Sequence, residues 1–273
     1  AGEPVVIFPE GRITMTGSLM KVYDGPGFVA AKTGATILPV RLDGAARSYF
    51  SSMSGNYTRS ILPKISFSIL PTTSIAMPGA PSAKLRRRMA GEAMRRTMQE
   101  MLFASQPVQT LFSALLDASR IHGRGTRLLE DMQQVEESYG QLLKKSLALG
   151  RLACKISAPG ENVGVLLPNV TNTICLIFGM SAMRRVPAML NYTAGTAGMQ
   201  NACIAAGVRT IVTSRQFVEA AKLAPALAGL ADIRIVYLED LRTQFGLWDK
   251  LWLMGFARWL PALAVQQGRP DDP

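Results

Sequence analysis

The chain has 273 residues, 48% hydrophobic and 18% charged, an ordinary globular composition with room for one large domain or two smaller ones. This composition excludes a disordered chain, and three widely spaced cysteines argue against a disulfide framework and favour a reducing compartment. With 30 Lys and Arg against 19 Asp and Glu the net charge is +11, which favours acidic partners such as anionic lipid, an acidic carrier protein or nucleic acid.

The first hundred residues alternate between strand-like and helix-like segments. Residues 4–8 form a short apolar run that predicts a buried strand, broken by a loop. Residues 27–32 predict a helix that ends at Gly34, and residues 36–42 and 61–70 predict further strands. This alternation indicates an α/β fold.

A Pro/Gly-rich stretch over 71–81 leads into a predicted basic amphipathic helix over 84–102. Three interpretations are open: a solvated face on a helix packed against its own domain, docking on an anionic membrane, or nucleic-acid binding. No aromatic residue lies inside the basic run to stack on a base, so we expect no nucleic acid as a partner. The basic residues are Lys84, Arg86, Arg87, Arg88, Arg95 and Arg96.

The second part of the chain again predicts an α/β fold. An amphipathic helix over 139–156 precedes strands at 163–167, 210–213 and 233–238, the alternation expected of a mostly parallel sheet. Short amphipathic pieces separate the two parts. We therefore assign residues 1–105 to a first domain, 106–137 to a linker region and 138–273 to a second domain.

Two segments of the second part leave alternatives open. Residues 163–183 carry no charge and are long enough for a transmembrane helix, but polar residues near their middle favour a strand, turn and helix. Residues 247–265 contain three tryptophans interrupted by charges, which indicates either a helix at a membrane interface or a core helix.

The loop after the first predicted strand contains the first candidate functional residues. Glu10 and Arg12 place a carboxylate and a guanidinium where open α/β sheets usually meet ligands. Arg12 could bind a phosphate with two hydrogen bonds while Glu10 orients it. A surface turn with an ion pair is the alternative.

The sequence VVIFPEGR over residues 5–12, followed by ILPVR over 37–41, resembles two blocks of the glycerolipid acyltransferase family. The resemblance implies that Glu10, Gly11 and Arg12 help to bind the phosphate of the acyl acceptor and that Pro39 shapes the site. Arg12 stands where the family pattern has Thr, and Ile13 stands where it has Arg.

The same resemblance implies a catalytic His and Asp pair, in which the His deprotonates the acceptor hydroxyl. The single histidine, His122, has Arg127 at the position where the Asp would stand, so we expect an ordinary polar loop residue there. We assign no catalytic residue within the chain and expect the pair upstream of Ala1. One His and three scattered Cys also predict no metal site.

Four segments in the second part resemble the AMP-forming acyl-activating enzymes, which implies their N-terminal α/β domain and the use of ATP and Mg²⁺. The family's phosphate-binding loop is expected beyond Pro273, and the Gly-rich residues 193–198 are expected to start a helix, so we assign no cofactor-binding residue. The four segments are residues 138–142, 161–169, 184–191 and 207–214.

An acyltransferase domain followed by an acyl-activating domain resembles the bacterial bifunctional enzymes that ligate fatty acid to acyl carrier protein and re-acylate lysophosphatidylethanolamine. The resemblance implies that the chain is an internal fragment, inactive alone, of an enzyme at the cytoplasmic face of the inner membrane. Its expected partners are acyl carrier protein, a lysophospholipid and an anionic membrane surface. The alternatives are a ligase with a decayed acyltransferase half and a non-catalytic membrane-binding remnant.

Overall fold

The computed structural model describes residues 2–14, 17–51, 53, 57, 59–131 and 134–265. The chain divides into two compact units, Ala1–Pro107 and Val108–Pro273. A helix and a strand pair occupy much of the segment 106–137 that the sequence assigns to a linker. The assigned domain boundaries remain a prediction, and the loop expected beyond Pro273 lies outside the described residues.

Two helices and an antiparallel strand pair form the described part of the first unit. Gly34 ends the first helix because it adopts the left-handed conformation, with a φ of 65°. The second helix begins where the Ser82 hydroxyl accepts a hydrogen bond from the Leu85 amide. The elements are α1 (Asp24–Thr33), β1 (Val40–Asp43), a 3-10 turn (Ala45–Arg47), β2 (Ser66–Ile69) and α2 (Ala83–Ala104).

The core of the first unit lies between α1 and α2. A Cβ atom on Gly27 would lie 2.3 Å from the carbonyl oxygen of Ala90, so only glycine permits this close approach of the two backbones. Ala30, Ala90 and Met94 are buried beside it. The core therefore depends on small residues at the helix crossing.

The helices predicted over 27–32 and 84–102 are confirmed, and the strands predicted over 36–42 and 61–70 are shorter than expected. The buried strand predicted over 4–8 is wrong. Val6 and Phe8 are 83% and 79% exposed, and no described residue forms a strand ladder with this segment. An apolar run becomes a buried strand only where neighbouring strands supply hydrogen bonds and another layer covers it.

The second unit begins with a helix and an antiparallel hairpin and continues as an alternation of strands and helices. Its described elements include α3 (Leu111–His122), β3 (Arg127–Glu130), β4 (Glu136–Ser138), α4 (Tyr139–Ala153), β5 (Asn162–Val165), α5 (Thr171–Ala182), β6 (Val186–Met189) and a 3-10 turn (Tyr192–Ala194). The remaining elements are α6 (Gly195–Ala205), β7 (Thr210–Thr213), α7 (Arg215–Ala220), α8 (Ala224–Ala228), β8 (Arg234–Tyr237), α9 (Leu238–Thr243) and α10 (Leu247–Trp259).

Strands β5 to β8 form a parallel sheet in the order β6-β5-β7-β8. The chain moves from β5 to one neighbour, β6, and then crosses to the other side of β5 to form β7. Right-handed crossovers in opposite directions place their helices on opposite faces of the sheet. The carboxyl ends of β5 and β7 therefore meet at the topological switch point, where open α/β sheets bind ligands.

A separate hydrophobic core covers each face of this sheet. Val163, Val165 and Val212 point into the core formed by α3, α4, α5 and α10. Ile211 and Leu166 belong to the opposite core, which α6, α7 and α8 complete. The predicted α/β fold class with a mostly parallel sheet is confirmed. All four residues of β7 are buried because helices cover both faces of the sheet.

The chain over 163–183 forms strand β5, a turn and helix α5, which confirms the strand, turn and helix interpretation. Among the described residues, no helix combines the length and hydropathy that a membrane span requires. Helix α5 instead packs closely against α4. The two backbones approach so closely that a Cβ on Gly150 would lie 2.4 Å from the carbonyl oxygen of Gly179. The apolar residues of α5 serve this packing.

Candidate functional site

The loop predicted to bind the acyl acceptor is held by a turn and by Gly11. The Gly11 amide donates to the carbonyl oxygen of Phe8 at 3.0 Å. Gly11 has a φ of 63°, and a Cβ at this position would lie 3.2 Å from the ring of Tyr23. The left-handed backbone favours glycine here, and any other residue would also displace the Tyr23 ring by a few tenths of an ångström.

The side chain of Glu10 has a structural partner that the sequence does not reveal. Its Oε2 atom accepts a hydrogen bond from the Met20 amide at 2.8 Å, and the carbonyl oxygen of Pro9 accepts one from the Tyr23 amide at 2.9 Å. These two bonds join the loop to residues ten or more positions further along the chain. Glu10 therefore fixes the loop, which presents the exposed Arg12 to solvent.

Pro39 lies on a separate element, at the entry to β1. It is buried, and its carbonyl oxygen accepts a hydrogen bond from the Leu70 amide at 3.0 Å. Two residues later the Arg41 guanidinium donates to the Ser105 hydroxyl at 3.0 Å and to the Leu102 carbonyl at 3.3 Å, at the C-terminus of α2. The structure thus unites Glu10, Gly11 and Arg12 in one loop, while Pro39 positions a strand. Their binding roles stay predictions.

Helix α2 presents most of its basic residues to solvent, with Arg86 half-buried, while Ala90, Met94 and Met101 are buried. Arg87 and Arg88 are exposed, as are Lys84, Arg95 and Arg96. Arg95 forms a hydrogen-bonded ion pair with Glu92 at 2.8 Å, which lowers the pKa of that carboxyl below its usual value. The basic face is therefore a solvated surface of high positive charge.

At the switch point of the second unit, the N-terminus of α5 already holds an acidic side chain. Both the amide and the hydroxyl of Thr171 donate to Oδ2 of Asp131, at 3.3 and 2.9 Å. A helix N-terminus attracts anions, and here the carboxylate of the same unit takes that position. The adjoining strand ends are fixed by a bond from the Thr213 hydroxyl to the Leu166 carbonyl at 2.7 Å.

A shallow cavity of about 500 Å³ lies beside the carboxyl ends of β7 and β8. Arg215 lines this cavity. Its guanidinium pairs with both oxygens of Asp240 at 2.9 and 2.7 Å and stacks 4.7 Å from the centre of the Tyr237 ring. The hydrogen bonds from Arg215 lower the pKa of Asp240. Sequence reasoning missed this cavity, although polar residues directly after parallel strands are the signal that points to such places.

His122 stacks on Tyr139, with ring centres 5.8 Å apart. It is the last residue of helix α3, which ends at Gly123, so the predicted loop position of His122 is wrong by one residue. Among the described residues, no group of three or more His, Cys, Asp or Glu side chains could hold a metal ion.

Residues 1–43 match the Acyltransferase family model. The matched segment includes the Glu10 loop, helix α1 and strand β1. Solved structures show limited similarity over a larger share of the chain. VinN in complex with 3-methylaspartate is 19% identical over 60% of this chain, with a TM-score of 0.46.

Two further solved structures resemble the chain. The anthranilate CoA ligase AuaEII in complex with anthranoyl-AMP is 14% identical over 62% of this chain and 31% of its own, with a TM-score of 0.46. The N-terminal domain of FACL13 from Mycobacterium tuberculosis is 14% identical over 50% of this chain and 36% of its own, with a TM-score of 0.43. The matched region covers 42% of the VinN chain.

Proposed function

We propose that this chain contributes to a bifunctional enzyme of acyl-lipid metabolism. One part transfers an acyl group to a lysophospholipid such as lysophosphatidylethanolamine, and the other activates a fatty acid with ATP and Mg²⁺ for ligation to acyl carrier protein. The observation that carries the proposal is the acyltransferase match over residues 1–43, which contains the loop built by Glu10 and Gly11.

The four segments that resemble acyl-activating enzymes support the second activity. Residues 138–142 start α4, where Ser138 and Gln141 cap each other reciprocally. Residues 161–169, 184–191 and 207–214 each contain one strand of the parallel sheet, β5, β6 and β7. Segments that are separate in the sequence therefore meet around one switch point.

The N-terminus of α5, at the switch point of the second unit, does not fit the phosphates of ATP. Asp131 takes the N-terminus of α5, and a phosphate placed there would meet a carboxylate. We therefore assign no step of the adenylation to residues of this chain, and ATP would supply the activating group at a site formed elsewhere in the enzyme.

In the acyltransferase part, we propose Arg12 as the residue that binds the acceptor phosphate. It is exposed on a loop that Glu10 fixes, and a guanidinium can donate two parallel hydrogen bonds to phosphate oxygens. A fixed loop reduces the entropy that the arginine loses when it binds.

The test separates the two activities in the complete protein. Arg12→Ala should reduce acyl transfer to lysophosphatidylethanolamine by about tenfold or more, the loss typical of a charge-assisted hydrogen bond, and should leave fatty-acid-dependent ATP–pyrophosphate exchange unchanged. Lys32→Ala, another exposed cation in the matched segment, is the control. Equal loss of both activities in the Arg12 variant would reject the separation of roles.

Glu10 needs two substitutions, because its carboxylate holds the Met20 amide. Glu10→Gln keeps a hydrogen-bond acceptor and removes the charge, whereas Glu10→Ala removes both. If Glu10 only fixes the loop, the Gln variant retains acyl transfer and the Ala variant loses it. If Glu10 also contacts the substrate through its charge, both variants lose transfer.

We further propose that the exposed basic face of α2 draws the protein to the anionic cytoplasmic face of the inner membrane. Flotation with anionic vesicles should weaken in high salt and in the Arg87→Gln/Arg88→Gln variant. Arg86 is less suitable for this test because its guanidinium donates to the Ala80 carbonyl at 2.7 Å. Flotation that ignores both changes would reject the electrostatic contribution.

A further inference from the structure

Helix α10 has two faces of different character, and one of them is covered by its own unit. Trp252, Leu253 and Phe256 pack against the core that α4 and α5 share. The buried Asp249 carboxylate binds Arg151 at 3.0 Å and Lys155 at 2.7 Å, both on or next to α4. These contacts fix the rotation of α10 about its axis.

The rest of the helix surface, which we call the outer face, is a band of large apolar side chains in solvent, with Leu251 near its middle and Trp248 and Trp259 along the edge next to Trp252. Trp248 and Trp259 are 79% and 73% exposed. Eleven residues at about 100° each bring them to nearly the same line along the helix, about 16 Å apart. Leu251 and Met254 are also exposed and lie about 60° and 120° round the helix from Trp248, on the side away from Trp252, and Leu247 stands at the helix start.

Charge along the outer face has one sign among the described side chains. Asp249 is the acidic residue of α10, and it points inward to Arg151 and Lys155. Lys250 is exposed beside the apolar stripe. A surface with two tryptophans, aliphatic side chains and a lysine, but no carboxylate, matches a phospholipid surface, where tryptophan rings favour the headgroup level and lysine meets anionic lipid.

The dimensions of the outer face favour lipid over a second copy of the chain. A helix of 13 residues is about 20 Å long and about 10 Å wide, so its outer face covers on the order of 200 Å². A standard protein interface buries about 800 Å² on each partner. A lipid surface needs no such matching partner, and the length is too short to cross a bilayer of about 30 Å.

We infer that α10 lies in the surface of an anionic phospholipid bilayer, parallel to its plane, with Trp248, Leu251 and Trp259 at the boundary between headgroups and acyl chains. The inference deepens the proposed function, since it names the element that would bring the enzyme to its lipid substrate. It rests on the proposed membrane location and on neither proposed activity, because vesicle binding is measured without turnover.

The experiment uses the tryptophans of the chain, since all three lie in α10. The whole chain is mixed with vesicles of phosphatidylcholine and phosphatidylglycerol that carry bromine on the acyl chains, which quenches nearby tryptophans. Three single-tryptophan variants, with Phe at the other two positions, report each residue separately. Emission from Trp248 and Trp259 should be quenched and shifted to the blue, and emission from Trp252 should change little.

A second measurement uses vesicle binding in high salt, which screens the basic face of α2. Leu251→Glu should weaken binding by about tenfold or more, because it exchanges an apolar contact for a charge. Ile204→Glu is the matched control, since Ile204 is a 68% exposed apolar residue on α6. Equal quenching of all three tryptophans, or equal binding of the two Glu variants, would overturn the inference.

Sedimentation of the same variants distinguishes the other occupants. Self-association that Leu251→Glu abolishes, without an effect on vesicles, would assign the outer face to a second copy and overturn the inference. Vesicle binding through α10 in a protein without acyl transfer would reject the proposed enzyme while leaving the inference intact.

Discussion

Replacing Asp249 with Asn should destabilise the second unit by about 1–2 kcal/mol. It should also reduce the pH dependence of the free energy of unfolding at acid pH. The Asp249 side chain is only 10% exposed and accepts hydrogen bonds from the Lys155 ammonium at 2.7 Å, the Arg151 guanidinium at 3.0 Å and the Gly246 amide at 3.1 Å. Asparagine retains an acceptor but leaves two cations without the charge that compensates them.

The magnitude follows from the pKa of this carboxyl. The hydrogen bond from Lys155, followed by the bond from Arg151, lowers the pKa of Asp249 from an ordinary value of 3.8 to about 2. Fully expressed, this difference corresponds to about 2.4 kcal/mol. Arg151 and Lys155 are 40% and 31% exposed, so solvent screening reduces the expected contribution to about 1–2 kcal/mol.

The sign of the pH dependence follows from the same pKa. Because the folded state holds the pKa of Asp249 below its unfolded value, the stabilisation is complete above about pH 4 and is lost as the pH falls towards 2. The wild-type free energy of unfolding should therefore decrease over this window more steeply than that of Asp249→Asn.

Urea denaturation followed by tryptophan fluorescence measures this directly, because the three tryptophans all report on α10. Asp240→Asn is the control, since Asp240 forms an ion pair with Arg215 in which both side chains are about half exposed. It should lose much less stability. A midpoint for Asp249→Asn equal to that of Asp240→Asn at neutral pH, with the same acid dependence as wild type, would refute the reasoning.

Two further predictions follow from packing and burial. Gly150→Ala would place a Cβ 2.4 Å from the Gly179 carbonyl oxygen and should lower the free energy of unfolding by about 1–3 kcal/mol in the same denaturation assay. Gly255→Ala is the control, because a Cβ there would have no atom within 4 Å, and it should be neutral or stabilising by up to about 1 kcal/mol. Burial raises the pKa of the Cys175 thiol to about 11, so mass spectrometry after alkylation at pH 8 should find the half-buried Cys154 modified first and Cys175 only on unfolding. Modification of Cys175 before Cys154 would contradict the observed burial.

The parts of the fold that the sequence predicts well are those governed by local rules. Ser82 and Ser138 mark helix starts, and Gly34 marks a helix end. Strand β7 falls on the predicted residues because all four of them are β-branched, which favours a strand. Helix α2 also lies where the spacing of its apolar residues predicts a helix. In each case a few neighbouring residues contain the information.

The errors arise where distant residues decide the structure. Residues 4–8 have the composition of a buried strand, but composition does not specify whether ladder partners and a covering layer are present. The bond from the Met20 amide to Glu10 and the contact of Asp249 with Arg151 likewise join residues far apart in the sequence. The sequence alone therefore does not specify the partner of Glu10 or the side of α10 that packs against the second unit.

The switch point of the second unit shows how such a distant contact limits function. In doubly wound sheets the helix N-terminus after the first strand is the usual position for a phosphate, and here Asp131 reaches it from the hairpin. We expect β5, β7 and their turns to stabilise the proposed ligase part without holding its ATP, since the bond from Thr213 to Leu166 fixes the two strand ends together. Thr213→Val should therefore reduce fatty-acid activation in the complete enzyme only as far as it reduces the fraction of folded protein. If Thr213 bound phosphate directly, a stably folded variant would show a higher KM for ATP.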